Sequence, residues 1–157
     1  MWDNGKAAVK NITEGLREKK FSAMELCRHT LSAIENDSRN LNSFITVTEK
    51  TALESAERID RKISLNEDPG PLAGVPVSIK DNVCLQGYPT TCASKVLENF
   101  IPPYDATCVR RLLDAGAVIV GKNNMDEFAM GSSNETSYFG PSLNPHGNQL
   151  VPGGSSG

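Results

Sequence analysis

A helical pattern that runs straight into an apolar strand is the feature that most restricts how this chain can fold. Val109, Leu112 and Leu113 recur at helical spacing behind Asp105, a residue able to cap the helix, and the pattern stops at Gly116. The run that follows, Ala117-Val118-Ile119-Val120-Gly121, is nearly all apolar. With no polar face to offer water, such a strand is expected to be covered on both sides, as in a sheet flanked by helices. A helix leading directly into a buried strand therefore predicts α/β layering. Val75 to Ile79 reads as a second buried strand, entering the polar loop Lys80-Asp81-Asn82.

The half of the chain before these strands has a different character. Residues 1–68 hold 23 of the 35 charged side chains, and their apolar residues recur at helical spacing. Val9, Ile12 and Leu16 mark one helix, Met24, Cys27, Leu31 and Ile34 a second, and Ala52, Ala56, Ile59 and Ile63 a third. Ser22-Ala23-Met24-Glu25 is a capping box, which predicts that the second helix begins there. Phe44-Ile45-Thr46-Val47-Thr48 is strand-like. The breaker stretch Asn66-Glu67-Asp68-Pro69-Gly70-Pro71 divides a helical region, 1–68, from an α/β region, 69–157. From Ala129 onward, 29 residues carry one charge, Glu135, with six Gly and six Ser, the composition of loops with close backbone approaches.

Composition excludes several classes of function. A net charge of −3 from 16 basic and 19 acidic side chains leaves no basic stripe for nucleic acid. No apolar run approaches the roughly 20 residues that cross a bilayer, and Met1-Trp2-Asp3-Asn4-Gly5-Lys6 lacks the apolar core of a secretory signal. A soluble intracellular protein is expected. Cys27, Cys84, Cys92 and Cys108 show no CxxC pairing and have only His29 and His146 beside them in the sequence, a poor set of metal ligands. Cys27 and Cys108 fall in helical patterns, where a free thiol behaves as a small buried hydrophobe and suits a reducing compartment.

Three places could carry chemistry. Lys80 stands where a buried strand meets a polar loop; a lone Lys there commonly caps the strand in solvent, and a catalytic base would need its neutral amine. Gly153-Gly154-Ser155-Ser156-Gly157 lacks the Lys-Ser/Thr ending of a phosphate loop. It reads either as a flexible linker or as an active-site loop whose hydroxyls and N–H groups point inward. In Gly121-Lys122-Asn123-Asn124-Met125-Asp126-Glu127, the adjacent carboxylates Asp126 and Glu127 point in different directions on a helix, so they suit a helix first turn better than an acid and base pair. Met130 reads as core rather than as pocket wall.

Taken in order, Pro71 to Asn82, Tyr104-Asp105-Ala106-Thr107, Gly116 to Lys122 and Val151 to Gly157 resemble the consecutive landmarks of the amidase signature family. Thr90 to Phe100 and Met125 to Ser133, with Phe139-Gly140-Pro141 and Asn144-Pro145, are similar to one branch, the glutamine-hydrolysing subunits of tRNA-dependent amidotransferases. The resemblance implies the α/β amidase signature fold, a mixed central sheet covered by helices, with the amino-terminal part present here. It implies a Ser, Ser, Lys relay in which Lys80 is the catalytic lysine and Ser155, on a cis peptide, the middle serine. Met130, Gly131 and Ser132 fall where the family lines its glutamine pocket. The nucleophile and oxyanion donors are expected beyond Gly157, so the 157-residue chain alone is expected to be inactive and loosely folded.

The same resemblance implies ammonia supply from glutamine for converting Glu-tRNA(Gln) to Gln-tRNA(Gln) in translation. The implied partners are amidotransferase subunits B and C in a heterotrimer, with mischarged tRNA held through the partner. ATP and Mg²⁺ would serve the whole complex, with no cofactor or metal bound by this chain. The implied location is bacterial cytoplasm or the mitochondrial matrix. Another amidase signature carboxamide hydrolase, or a catalytically dead fragment that binds the partner, are the alternatives.

Overall fold

The computed structural model describes residues 9–147 and 149–157, with the backbone alone for residues 37–40. The Met1 to Lys6 run, read above as lacking a signal core, lies outside the described residues. Each helical pattern of the first half forms a helix: α1 is Val9–Arg17, α2 is Ala23–Leu41 and α3 is Glu49–Ser64. The capping box is present, with Ser22 Oγ accepting from the Glu25 N–H at 3.0 Å and Glu25 Oε2 accepting from the Ser22 N–H at 2.8 Å. Asp60 of α3 adds its carboxylate to the same end, accepting from the Ala23 and Met24 N–H groups at 2.7 and 3.0 Å. The free donors of the first turn and the positive end of the helix dipole are thereby met by a neighbouring helix, which fixes how α2 and α3 pair. At its other end α2 stops on Asn42, whose left-handed backbone (φ 55°) turns the chain into the first strand.

Three strands form one sheet in the order β1 (Phe44–Val47), β3 (Val118–Asn123), β2 (Pro76–Lys80). β1 runs antiparallel to β3 and β2 runs parallel to it, so the sheet is mixed. The central place of β3 explains its composition. Val118 and Val120 join Ile12, Leu16, Leu26, Ala52, Ala56 and Ile59 in a core under α1, α2 and α3. Ile119 faces the other way, into a second core with Ile79, Leu85 and Val109 of α4 (Thr107–Asp114). The expectation of burial on both faces holds for β3, every residue of which is buried from Val118 to Lys122. Burial is less complete for β2, where Ser78 is exposed and Ile79 alone is fully buried; among the described residues this strand pairs with β3 on one side only. Pro76 begins that edge strand, a position that asks for no ladder donor.

The change of composition near residue 68 is not a break in packing: a strand from the first part, β1, and two from the second share the sheet, and one core draws on both. Two local expectations also change. Asp105 does not cap α4, whose N-cap is Ala106 without a side-chain bond; the Asp105 carboxylate instead accepts from the Gln86 N–H at 2.7 Å. Cys108 is exposed on α4 whereas Cys27 is buried, since only the stripe through Val109 faces the sheet.

Candidate active site

The carboxyl ends of β2 and β3 lie side by side, with Lys80 paired in register with Asn123. Beyond Asn123 the chain continues extended, and the Gly153 to Gly157 run returns to lie along it. Met125 and Ser156 form an antiparallel bridge, the Asp126 N–H donates to the Ser155 carbonyl at 3.0 Å, and the Gly157 N–H donates to the Asn124 carbonyl at 3.1 Å. The serine run is therefore not a linker but a segment docked by backbone bonds along the continuation of the central strand. This docking brings Lys80 Nζ to 2.7 Å from Ser155 Oγ, across 75 residues of chain. The Gly154–Ser155 peptide is cis.

A second lysine is paired with the residue that follows Lys80. Lys122 is fully buried, with its ammonium 3.2 Å from Asp81 Oδ1, an ion pair rather than an aligned hydrogen bond. It donates to the Pro89 carbonyl at 2.8 Å and to Thr90 Oγ1 at 2.7 Å. The other Asp81 oxygen takes the Thr91 N–H at 2.9 Å and the Thr91 hydroxyl. Burial pushes the Lys122 ammonium below its ordinary value, and the charge of Asp81 works against that push. Sequence reading gave Lys122 no role. The available signal was a charged residue one place after an apolar run covered on both faces, a position that demands a partner.

Asp126 and Glu127 do diverge, though around a short 3-10 turn, Glu127–Ala129, and not an α-helix. Glu127 accepts from Ser94 Oγ at 2.6 Å. Asp126 is fully buried and accepts from the Asn134 N–H at 3.0 Å, the Thr136 hydroxyl at 2.9 Å and the Thr136 N–H at 3.4 Å. Burial opposes its ionisation, but the bonds from Asn134, Thr136 and Ser133 outweigh burial and hold the carboxyl below its ordinary 3.8. On unfolding the group regains that ordinary value, so its ionised form stabilises the fold above 3.8 and this contribution is lost as pH falls through the lower folded value. Acid unfolding followed by circular dichroism should show native protein losing stability below 3.8 more steeply than an Asp126→Asn variant, which has no proton to bind there.

The candidate pocket segment is open to solvent. Met130 is 78% exposed and Gly131 and Ser132 are exposed, so the expectation of a core Met130 is corrected. The left-handed backbone of Phe128 and Ala129 swings the segment outward (φ 50° and 60°). It nevertheless abuts the Gly153 to Gly157 loop: a side chain on Gly154 would come within 2.4 Å of the Ser132 carbonyl carbon. The structure thus brings Lys80 and Ser155 into contact and sets Ser132 against the neighbouring Gly154, with Gly131 against Asp126 and Met130 turned to solvent. Among the described residues, no cluster of three His, Cys, Asp or Glu side chains is placed to hold a metal ion, and no helix is long and apolar enough to cross a membrane.

Comparison with known proteins places this geometry. The family described as Amidase matches over residues 25–157. The A subunit of the glutamyl-tRNA(Gln) amidotransferase of Carboxydothermus hydrogenoformans is 53% identical over 150 residues, covering 96% of this chain. The match takes in 31% of that relative's length, so the chain spans about a third of such proteins. Among solved structures, the corresponding subunit from Thermotoga maritima superposes with a TM-score of 0.70 at 42% identity, over 85% of this chain and 27% of the other. The peptide amidase from Stenotrophomonas maltophilia superposes with a TM-score of 0.89 at 31% identity, over 98% of this chain and 33% of the other. A lysine and a serine meeting where two strands end, in a chain matched to one family over most of its length, make this chain a member of the amidase signature family.

Proposed function

We propose that this chain supplies the lysine and the middle serine of a Ser-Ser-Lys relay in the glutamine-hydrolysing subunit of a glutamyl-tRNA(Gln) amidotransferase. The observation that carries the reading is the 2.7 Å contact between Lys80 Nζ and Ser155 Oγ. In the reacting state the bond reverses: the neutral amine accepts the Ser155 proton while Ser155 takes one from a nucleophilic serine contributed from outside residues 1–157. That serine attacks the carboxamide carbon, the proton returns along the same path to the departing nitrogen, and ammonia leaves. Water then releases glutamate from the acyl-enzyme by the same relay. Met130, Gly131 and Ser132 are the proposed wall of the glutamine pocket, in keeping with the place of Ser132 against Gly154.

Among superposed structures, the 42% identity to the Thermotoga maritima amidotransferase subunit, against 31% to a peptide amidase, supports glutamine over a simple carboxamide or a peptide amide as substrate. Partner subunits B and C, the mischarged tRNA, and the use of ATP and Mg²⁺ by the assembly belong to the same proposal, as does a home in bacterial cytoplasm or the mitochondrial matrix. The test is ammonia release by the full-length protein carrying this segment, assembled with its two partner subunits, from glutamine and from a panel of simple amides. Preference for glutamine, with transfer of its amide to Glu-tRNA(Gln), is expected. Preference for the simple amides, with no transfer, would make the protein a stand-alone amidase.

A further inference from the structure

Asp126 is a buried carboxylate set against Gly154 of the relay loop, and the proton path above does not use it. Two glycines flank it. A Cβ added at Gly131 would meet Asp126 Cγ at 2.3 Å and its two oxygens at 2.4 and 2.7 Å. A Cβ added at Gly154 would meet Asp126 Oδ2 at 2.3 Å. Both separations are shorter than side chains tolerate, so the carboxylate fills the gap between the two backbones. Its main chain is engaged as well, since the Asp126 N–H holds the Ser155 carbonyl at 3.0 Å. Its oxygens meanwhile hold the Asn134 N–H and the Thr136 hydroxyl, which anchor the loop leaving Ser132.

We infer that Asp126 is a positioning residue that ties the Met130 to Ser132 segment and the Ser155 loop into one unit, so that the wall meeting the substrate and the serine passing the proton cannot shift independently. The inference rests on the proposed relay. Its consequence is a cross-effect: pressure applied on the pocket side of the carboxylate reaches Ser155 through it. Displacement of a reacting group by about 1 Å costs on the order of a hundredfold in rate. Gly131→Ala, although it lies in the pocket segment, should therefore lower kcat, whereas a residue that merely lines the pocket changes KM.

The experiment is steady-state glutamine hydrolysis by the full-length protein with its partners, using Gly131→Ala, Asp126→Ala, Asp126→Asn and the double variant Gly131→Ala/Asp126→Ala. Gly131→Ala should lower kcat at least tenfold with a smaller change in KM. Because the three nearest neighbours of the added methyl are all Asp126 side-chain atoms, the same change in the Asp126→Ala background should cost less than threefold. Asp126→Asn keeps the volume but turns a nitrogen toward donors that need an acceptor, and should also lower kcat. If Asp126→Ala does not assemble, Asp126→Asn with Gly131→Ala decides. A kcat unchanged in both overturns the inference, as does a Gly131→Ala effect confined to KM or fully additive with Asp126→Ala. Lys80→Ala run in parallel separates the two readings: activity surviving it removes the relay itself, while its loss beside a normal Asp126→Asn removes only the role of Asp126.

Discussion

Lys80→Arg in the full-length protein, assembled with its partners, is expected to abolish glutamine hydrolysis as completely as Lys80→Ala does. Arginine keeps the positive charge and can still reach the Ser155 hydroxyl, so it preserves a hydrogen bond from position 80. It cannot give up its proton at any pH where the enzyme folds and so cannot act as a base. Removing one member of a relay that works as a unit costs about 10⁴-fold or more in kcat. Ser155→Ala should fall in the same range, and the double variant should be little worse than either, since a broken path cannot be broken twice. Ammonia release is the measurement, with co-purification of the partner subunits as the control for assembly. A substantial rate in Lys80→Arg would mean that Lys80 acts as a fixed charge, and proton transfer through it would have to be abandoned.

The second large effect is expected at a residue that makes no contact with Ser155. Lys122→Met strips the partner from an Asp81 carboxylate that is wholly buried, and an uncompensated buried charge costs about 3 to 5 kcal/mol. The urea midpoint of the full-length protein should fall accordingly. Adding Asp81→Asn to Lys122→Met should recover much of the loss, because no unpaired charge then remains and the Thr91 donors keep an oxygen acceptor. If the two losses simply add, the ion pair is not what makes Lys122 indispensable. Activity should fall in Lys122→Met beyond the stability effect, since Asp81 directly follows Lys80 and its carbonyl, 3.4 Å from the Lys122 ammonium, belongs to the turn that aims the Lys80 side chain.

Features written in local pattern were legible without coordinates. The capping box at Ser22 and Glu25, the stripes of α1, α2 and α3, and the two-sided burial of β3 each depend on residues within a turn or a strand of one another. What sequence could not show was the long-range choice among partners. Asp105 had a helix to cap and a loop N–H to accept from, and the fold placed Gln86 in reach. Met130 has the character of a core residue, yet the left-handed turn before it faces it to solvent. Lys80 and Ser155 were singled out by resemblance, while the pairing of Lys122 with Asp81 spans 41 positions and leaves no local trace beyond a charge beside an apolar run.

The central strand also acts as a ruler. Val118 to Asn123 fixes β1 on one side and β2 on the other, and its extension sets Asn124, Met125 and Asp126 against the serine loop. Both ladders already carry an irregularity, at Val77/Ser78 and at Phe44/Thr46, so the measure is kept by specific partners rather than by strict alternation, and adding or deleting a residue between Lys122 and Asp126 would shift one against the other and pull it off its partners. Substitutions here damage one contact at a time, but a change of length erases the whole arrangement. The spacing from Lys122 to Asp126 is thus held at both ends, by the Asp81 carboxylate at one and by the carbonyl of Ser155 at the other.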